Sequence, residues 1–229
     1  MLIAIPRLLS PEDVAHCRQV LEASEWVDGK VTAGAQSAKA KHNLQVPEAA
    51  PQAKALGELI LNRLGRNPAF LSAALPARVY PPMFNRYEVG MTFGPHIDNA
   101  IRFGAGAGGG TRYRTDLSCT LFLSDAADYD GGELVIEAPH GPQAVKLAAG
   151  DMLLYPASSV HRVQPVTRGA RWASFFWVQS MVRDDGQRKL LYELDQAIIA
   201  AKADLGDEHR AAIGLTGTYH NLMRMWAEV

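Results

Sequence analysis

The 229-residue chain has little cysteine, little net charge and no long apolar run, and each shortage excludes a class of protein. Its only two cysteines, Cys17 and Cys119, cannot build a disulfide framework or a cysteine-rich zinc site, so we expect a reducing, cytoplasmic setting. The formal charge of −1 argues against a general nucleic-acid binder. We also expect no membrane span, and the first residues lack the basic and apolar regions of a secretory signal.

Helical and strand patterns divide the chain into three segments. Ser10-Pro11 predicts a helix start, and apolar spacing predicts another helix over residues 51–64. Short strands separated by glycine follow, and helical periodicity returns after Val182. These patterns predict an α+β protein in which residues 1–76 give N-terminal helical support, 77–182 form a β-sandwich or barrel, and 183–229 form a C-terminal helical extension.

Two hairpins are predicted within the strand region. Residues 144–147 should pair with residues 152–155 across a turn at Gly150. Residues 162–166 should pair with residues 171–178, with the turn at Gly169.

His96 and Asp98 are separated by one residue, so on an extended backbone their side chains point the same way. An imidazole and a carboxylate on one face are two-thirds of a 2-His-1-carboxylate iron site. The best candidate for the missing ligand is His161, 65 residues further on, where strand pairing across a barrel could bring it close. The alternative is that His96 and Asp98 only hydrogen-bond each other at a strand end.

Arg171 lies ten residues after His161 and begins an otherwise apolar strand. Burying a guanidinium without a partner costs free energy, and its shape suits bidentate binding of a carboxylate. An anion-binding role is therefore predicted, with a surface arginine at a strand end as the alternative.

These residues, together with Asp-Gly-Gly-Glu-Leu at 130–134, resemble Fe(II)/2-oxoglutarate-dependent dioxygenases. Asn85-Arg86-Tyr87, the stretch from His96 to Asn99 and the run from Ala173 to Asp184 are similar to the bacterial PKHD-type hydroxylases, which are PiuC-like and prolyl 4-hydroxylase-like. The helical tail fits as well, so the resemblance spans nearly the whole chain.

The resemblance implies a double-stranded β-helix (a jelly roll, cupin-like) over residues 77–182. It implies Fe(II) on His96, Asp98 and His161, with 2-oxoglutarate and O2 as cosubstrates, L-ascorbate as supporting reductant and Arg171 on the distal carboxylate. One departure is that Ala173 stands where many members have a serine, and Ser174 should face the opposite side. Tyr87 is the predicted replacement contact to the cosubstrate.

The predicted activity is hydroxylation of an unactivated C–H bond with release of succinate and CO2. The alternatives are a cupin-type metal isomerase or hydrolase, and a non-enzymatic sensor of iron and 2-oxoglutarate. The resemblance leaves a small-molecule or peptidyl substrate open, including a siderophore-related molecule linked to iron uptake. The helices at both ends could also build a homo-oligomer interface.

The glycine-rich stretch at 104–110 satisfies G-x-G-x-x-G, but no apolar strand feeds it and no helix follows it. We therefore reject a dinucleotide site and predict a surface loop that acts as a lid. Among the remaining histidines, His140 in a hairpin loop is a weak alternative ligand.

Overall fold

We describe the protein from a computed structural model that covers residues 1–32, 35–104, 110–138 and 140–228. Most of the glycine-rich stretch, residues 105–109, lies outside the described residues, and so does the predicted lid. The helices, in chain order, are α1 (Pro11–Glu22), α2 (Ala35–Ala40), α3 (Pro51–Leu64), α4 (Pro68–Ala74), α5 (Asp185–Leu205) and α6 (Arg210–Trp226). None of the described helices is long and apolar enough to cross a lipid bilayer.

Short strands make up the rest of the regular structure. In chain order they are β1 (Ile3–Ile5), β2 (Val27–Asp28), β3 (Lys41–His42), β4 (Leu44–Gln45), β5 (Pro76–Val79), β6 (Met83–Tyr87), β7 (Thr92–His96), β8 (Ile101–Phe103), β9 (Arg112–Arg114), β10 (Leu117–Phe122), β11 (Asp130–Gly131), β12 (Leu134–Ala138), β13 (Gly141–Val145), β14 (Met152–Pro156), β15 (His161–Val163), β16 (Val166–Arg168) and β17 (Arg171–Ser180).

Two antiparallel sheets form the walls of a jelly roll. The larger sheet has the order β1-β14-β10-β17-β6-β4-β2, with β5 on the end of β17, and the smaller sheet has the order β13-β12-β15-β7-β3. The pairs β8-β9 and β11-β16 stand apart from both sheets. The predicted double-stranded β-helix fold is confirmed.

Strand alternation gives the larger sheet two different faces. On β10, Leu117, Cys119 and Leu121 join the apolar core that contains the residues of α1, α3 and α4. Phe122 faces the other way and packs with Ile136 and other residues of the smaller sheet. The helices therefore brace the outer face of the larger sheet, while its inner face looks into the barrel.

Both predicted hairpins are wrong. β14 pairs with β10 and β1, and β13 pairs with β12. Likewise β15 pairs with β12 and β7, whereas β17 pairs with β10, β6 and β5. Glycines with positive φ do make the turns, at Gly150 (φ 91°) and Gly169 (φ 67°). Gly150 carries the chain from β13 of the smaller sheet to β14 of the larger sheet, whereas Gly169 connects β16, which pairs with β11, to β17 of the larger sheet.

The N-terminal segment contributes more than helices. β1, β2 and β4 extend the larger sheet and β3 extends the smaller one. The helix α1 begins as predicted, with Ser10 accepting a hydrogen bond from the Asp13 backbone N–H in a capping box.

The C-terminal helices pack beside the larger sheet. Leu191 is buried with Val182 and Leu75, and residues of α6 cover them. On α5, Leu191 and Ile198 are buried, whereas Leu190 and Ile199 are exposed.

Candidate functional site

Strand pairing brings His96, Asp98 and His161 together. His96 ends β7 and His161 begins β15, and the two residues are direct partners in the antiparallel register. One ligand atom from each of the three side chains lies within 4.8 Å of the others. The His161 Nε2 and Asp98 Oδ2 atoms are 3.8 Å apart. The 65-residue separation in sequence is therefore closed by two neighbouring strands.

Backbone carbonyls orient both imidazoles. The Nδ1 atom of His96 lies 2.8 Å from the Gly94 carbonyl oxygen, and that of His161 lies 3.1 Å from the Ser159 carbonyl oxygen. Because a carbonyl oxygen only accepts, each Nδ1 carries the proton and donates it. Each Nε2 then holds a lone pair, as a metal ligand requires.

Aromatic contacts hold the two rings in place. The Phe93 ring stacks on His96 with centroids 3.5 Å apart, and the Tyr155 ring meets His161 edge-on at 5.2 Å. Burial, followed by the proximity of His161, holds the pKa of His96 well below its usual range. The imidazole is thus kept neutral, which is its ligating form.

Asp98 is oriented by a serine that the sequence analysis did not single out. The Ser118 hydroxyl donates to Asp98 Oδ2 across 2.5 Å, a short charge-assisted hydrogen bond. Ser118 is on β10, on the inner face opposite the apolar residues of that strand. The polar residues alternating with an apolar face in that strand were the available signal.

Arg171 is buried, with 1% of its surface exposed, so it is not the surface arginine of the alternative. It begins β17 directly opposite Tyr87 on β6. Its guanidinium carbon lies 5.4 Å from the Tyr87 ring centroid and 5.2 Å from that of Phe122. Its Nε has no hydrogen-bond partner among the described residues. A buried, incompletely paired guanidinium is costly unless a ligand completes its hydrogen bonds.

Tyr87 and Ser174 lie on the sides that the sequence analysis predicted. Tyr87 faces the cavity beside Arg171, and burial raises the pKa of Tyr87 to about 12, so the phenol keeps its proton at neutral pH. Ser174 is fully buried opposite Leu121 on the helix-facing side, and its hydroxyl has no partner among the described residues. The Ser174 hydroxyl is therefore turned away from Arg171.

All five predicted site residues line one open cavity. Its walls also include side chains to which the sequence analysis assigned no role, namely Lys41, Gln45, Asn85, Thr120, Tyr155 and Phe175. Lys41 was missed because it lies in a polar stretch without strand periodicity, although it forms β3 against β7.

His140 is the alternative ligand from the sequence analysis, and Arg102 and Arg114 flank the glycine-rich stretch. His140 is exposed in the turn between β12 and β13 and is outside the cluster of possible metal ligands. Arg114 pairs with Asp116 and Glu228. Arg102, in contrast, lines the cavity.

The chain matches two family models. Residues 82–179 match the 2OG-Fe(II) oxygenase superfamily, and residues 185–228 match the PKHD-type hydroxylase C-terminal domain. Over all 229 residues and the full length of each relative, it is 61% identical to a PKHD-type hydroxylase from Gluconobacter oxydans and 58% identical to PKHD-type hydroxylase PiuC from Pseudomonas aeruginosa.

Solved structures share the fold at low identity. A prolyl-4-hydroxylase from Pseudomonas putida is 19% identical with a TM-score of 0.53, covering 78% of this chain and 92% of that one. HygX from Streptomyces hygroscopicus, bound to nickel, 2-oxoglutarate and hygromycin B, is 18% identical with a TM-score of 0.55, covering 78% and 82%. The full-length relatives carry the assignment: this chain belongs to the PKHD-type hydroxylases, Fe(II)- and 2-oxoglutarate-dependent enzymes of the 2OG-Fe(II) oxygenase superfamily.

Proposed function

We propose that His96, Asp98 and His161 bind Fe(II), and that Arg171, with Tyr87 beside it, binds the distal carboxylate of 2-oxoglutarate. The enzyme then hydroxylates an unactivated C–H bond of a substrate held at the mouth of the same cavity. The single observation that carries the proposal is that two oriented imidazoles and one carboxylate each place a ligand atom within 4.8 Å of the others.

The donor set fits ferrous iron. Two neutral imidazoles and one carboxylate leave open positions on an octahedral ion, and this ligand set is typical of non-haem Fe(II) oxygenases. The supporting contacts match as well, because the carbonyls behind both rings and the Ser118 hydroxyl behind Asp98 fix the direction of each lone pair.

Arg171 fits the distal carboxylate because it is a buried cation with an unpartnered Nε in the same cavity. A carboxylate would accept two parallel hydrogen bonds from the guanidinium. The Tyr87 phenol, protonated at neutral pH, would donate a third. This contact would take the place of the serine missing at Ala173.

When bound, Fe(II) would activate O2, which is the oxidant: one oxygen atom would be used in the oxidative decarboxylation of 2-oxoglutarate to succinate and CO2, and the other would hydroxylate the substrate. The chain itself positions the reactants and keeps bulk water away from them. The rings of Phe93 and Tyr155 shield the two histidines, and Arg171 fixes the far end of the keto acid.

For the primary substrate we propose a chemical class, and for the supporting reductant we propose L-ascorbate. Solved structures with this fold bind a peptide fragment in a prolyl hydroxylase from Trichoplax adhaerens and hygromycin B in HygX, which supports either a peptidyl or a small-molecule substrate. We keep a siderophore-related molecule among the candidates, L-ascorbate as the reductant and the cytoplasm as the location. Homo-oligomer formation through the terminal helices also stays a prediction.

We also propose a separate role for each of the three segments of the chain. Residues 77–182 form the catalytic core, residues 1–76 support it, and residues 183–229 brace its outer surface. The salt bridge from Arg114 on β9 to Glu228, 2.9 Å long, supports the role given to the last segment.

Two steps test the proposed function. Anaerobic addition of Fe(II) and then 2-oxoglutarate should produce a visible charge-transfer band, which a cupin-type isomerase or hydrolase would not show. Admission of air should then release succinate, whereas a non-enzymatic sensor would bind both ligands and release none. Failure to form the band with stoichiometric Fe(II) and excess 2-oxoglutarate would contradict the assignment of the site.

A further inference from the structure

The cavity contains a second cationic position besides Arg171. Lys41, on β3, is paired in register with Phe93 and is only 5% exposed. Its Nζ lies 5.3 Å from the Phe93 ring centroid and 5.8 Å from that of Phe175. The Phe93 ring also stacks on His96, so the same aromatic ring contacts both the Lys41 ammonium and one of the proposed iron ligands.

Arg102 approaches the cavity from β8. Its guanidinium carbon lies 4.5 Å from the Trp177 ring centroid and 5.2 Å from that of Tyr80. Its side chain is 14% exposed, and its ion pair with the 40%-exposed Glu48 is long, at 3.7 Å. Arg102 thus reaches the cavity along an aromatic wall instead of extending into solvent.

The two cations disfavour each other. Burial lowers the pKa of Lys41 to about 8, and the positive charge of Arg102 is the second cause, whereas the carboxylates of Asp98, Asp28 and Glu48 act in the opposite direction. Two like charges held in a half-closed cavity raise the free energy of the empty site, and an anion placed near both would lower it.

The described residues that line the cavity include more cationic side chains than carboxylates. Its described lining residues include three cations, Lys41, Arg102 and Arg171, but Asp98 is the single carboxylate among them. The proposed function assigns Asp98 to the metal and Arg171 to 2-oxoglutarate. Lys41 and Arg102 then face the remaining space, which is where the primary substrate must lie.

We propose that Lys41 and Arg102 together bind a carboxylate of the primary substrate and thereby position its neighbouring C–H bond. The half-exposed Ile97 and the ring of Phe175 border the same space and suit an apolar part of the substrate. The substrate is therefore an organic acid or an acidic peptide side chain with an apolar portion, not a polycation. This inference rests on the proposed function, because it takes Arg171 as already occupied by 2-oxoglutarate.

The test uses the full chain loaded with Fe(II) and saturating 2-oxoglutarate under anaerobic conditions. The probes are 4-fluorobenzoate and its neutral analogue 4-fluorobenzamide, with binding followed by ligand-observed fluorine NMR. We expect the carboxylate to bind at least tenfold more tightly than the amide. K41M and R102M should each weaken 4-fluorobenzoate binding at least tenfold, and R102K should recover part of the loss. Affinity for 2-oxoglutarate should stay within twofold of wild type in all three variants.

The outcomes separate the two proposals. Absence of 2-oxoglutarate binding to the wild-type protein would refute the proposed function before any probe is added. Normal 2-oxoglutarate binding with equal affinity for acid and amide, or with no loss in K41M and R102M, would refute carboxylate recognition alone. Tighter binding of the acid than of the amide, with no loss in K41M and R102M, is the pattern expected if the probe carboxylate binds the metal directly, and it likewise refutes the proposal. Loss of 2-oxoglutarate binding in K41M would mean that Lys41 supports the cosubstrate or the fold of the site, which would overturn its assignment to the primary substrate. The R102M variant would then still test Arg102.

Discussion

Replacing Ser118 with alanine tests whether the hydrogen bond behind Asp98 controls the metal site. The hydroxyl donates to Asp98 Oδ2 at 2.5 Å and is 2% exposed with the rest of its residue, so water does not replace it readily. A hydrogen bond to a charged group contributes about 1.5–3 kcal/mol. Losing the partner of a metal-binding carboxylate typically costs roughly 10–100-fold in metal affinity. We expect S118A to fall in that range, measured by anaerobic Fe(II) titration against a competing chelator.

A matched control comes from the neighbouring strand. Ser174 on β17 is also buried, but its hydroxyl faces the helices and has no partner among the described residues. S174A should leave metal affinity within twofold of wild type and should not lower the melting temperature, because an unpartnered buried hydroxyl costs free energy. If S118A binds Fe(II) as tightly as S174A, the Ser118 hydrogen bond has no role in orienting the ligand.

Three further predictions concern the same cavity. D98A should lose both Fe(II) binding and succinate release, and full activity in that variant would remove Asp98 from the site. R171M should keep Fe(II) but raise the 2-oxoglutarate half-saturation about 30-fold, on the order of 2 kcal/mol for a lost charged hydrogen bond; R168M, which removes an exposed arginine paired with Asp130, should change nothing. Because the pKa of His96 is lowered from its ordinary 6.5, the unfolded chain binds a proton below pH 6.5 that the folded metal-free protein refuses, so stability should fall as pH decreases through that region. Chemical denaturation of metal-free H96Q should show a shallower decline with pH than wild type, and equal slopes would contradict the assignment.

The cluster of candidate metal ligands could be predicted because two of its three residues carry a local signal. Alternation along an extended backbone predicted that His96 and Asp98 point the same way, whichever strand pairs with them. In the structure β7 ends at His96, and Asp98 lies two residues beyond the end of the strand. Predicting that His161 lies near His96 required the assumption that strands distant in sequence pair across the barrel. The observed pairing of His161 with His96 agrees with that assumption. Arg171 could be singled out because burying a charged side chain at the start of an apolar strand costs free energy unless a partner binds it.

Strand partners could not be predicted in the same way. Gly150 and Gly169 have the positive φ of a turn, but a turn residue specifies a change of direction and not the sheet that receives the next strand. Lys41 was missed for a related reason. β3 is two residues long, too short for any periodic signal, and only its pairing with Phe93 places the ammonium in the cavity.

The proposed ligands of the metal and of the keto acid come from opposite walls. His96 and His161 belong to the smaller sheet, whereas Arg171 and Tyr87 belong to the larger one. With both ligands in place, the keto acid would act as a cross-brace, tied at one end through the ion and at the other through the guanidinium. Separating the two sheets during unfolding would then require breaking these contacts. The rise in melting temperature on adding Fe(II) and 2-oxoglutarate together should therefore exceed the sum of the rises that each produces alone.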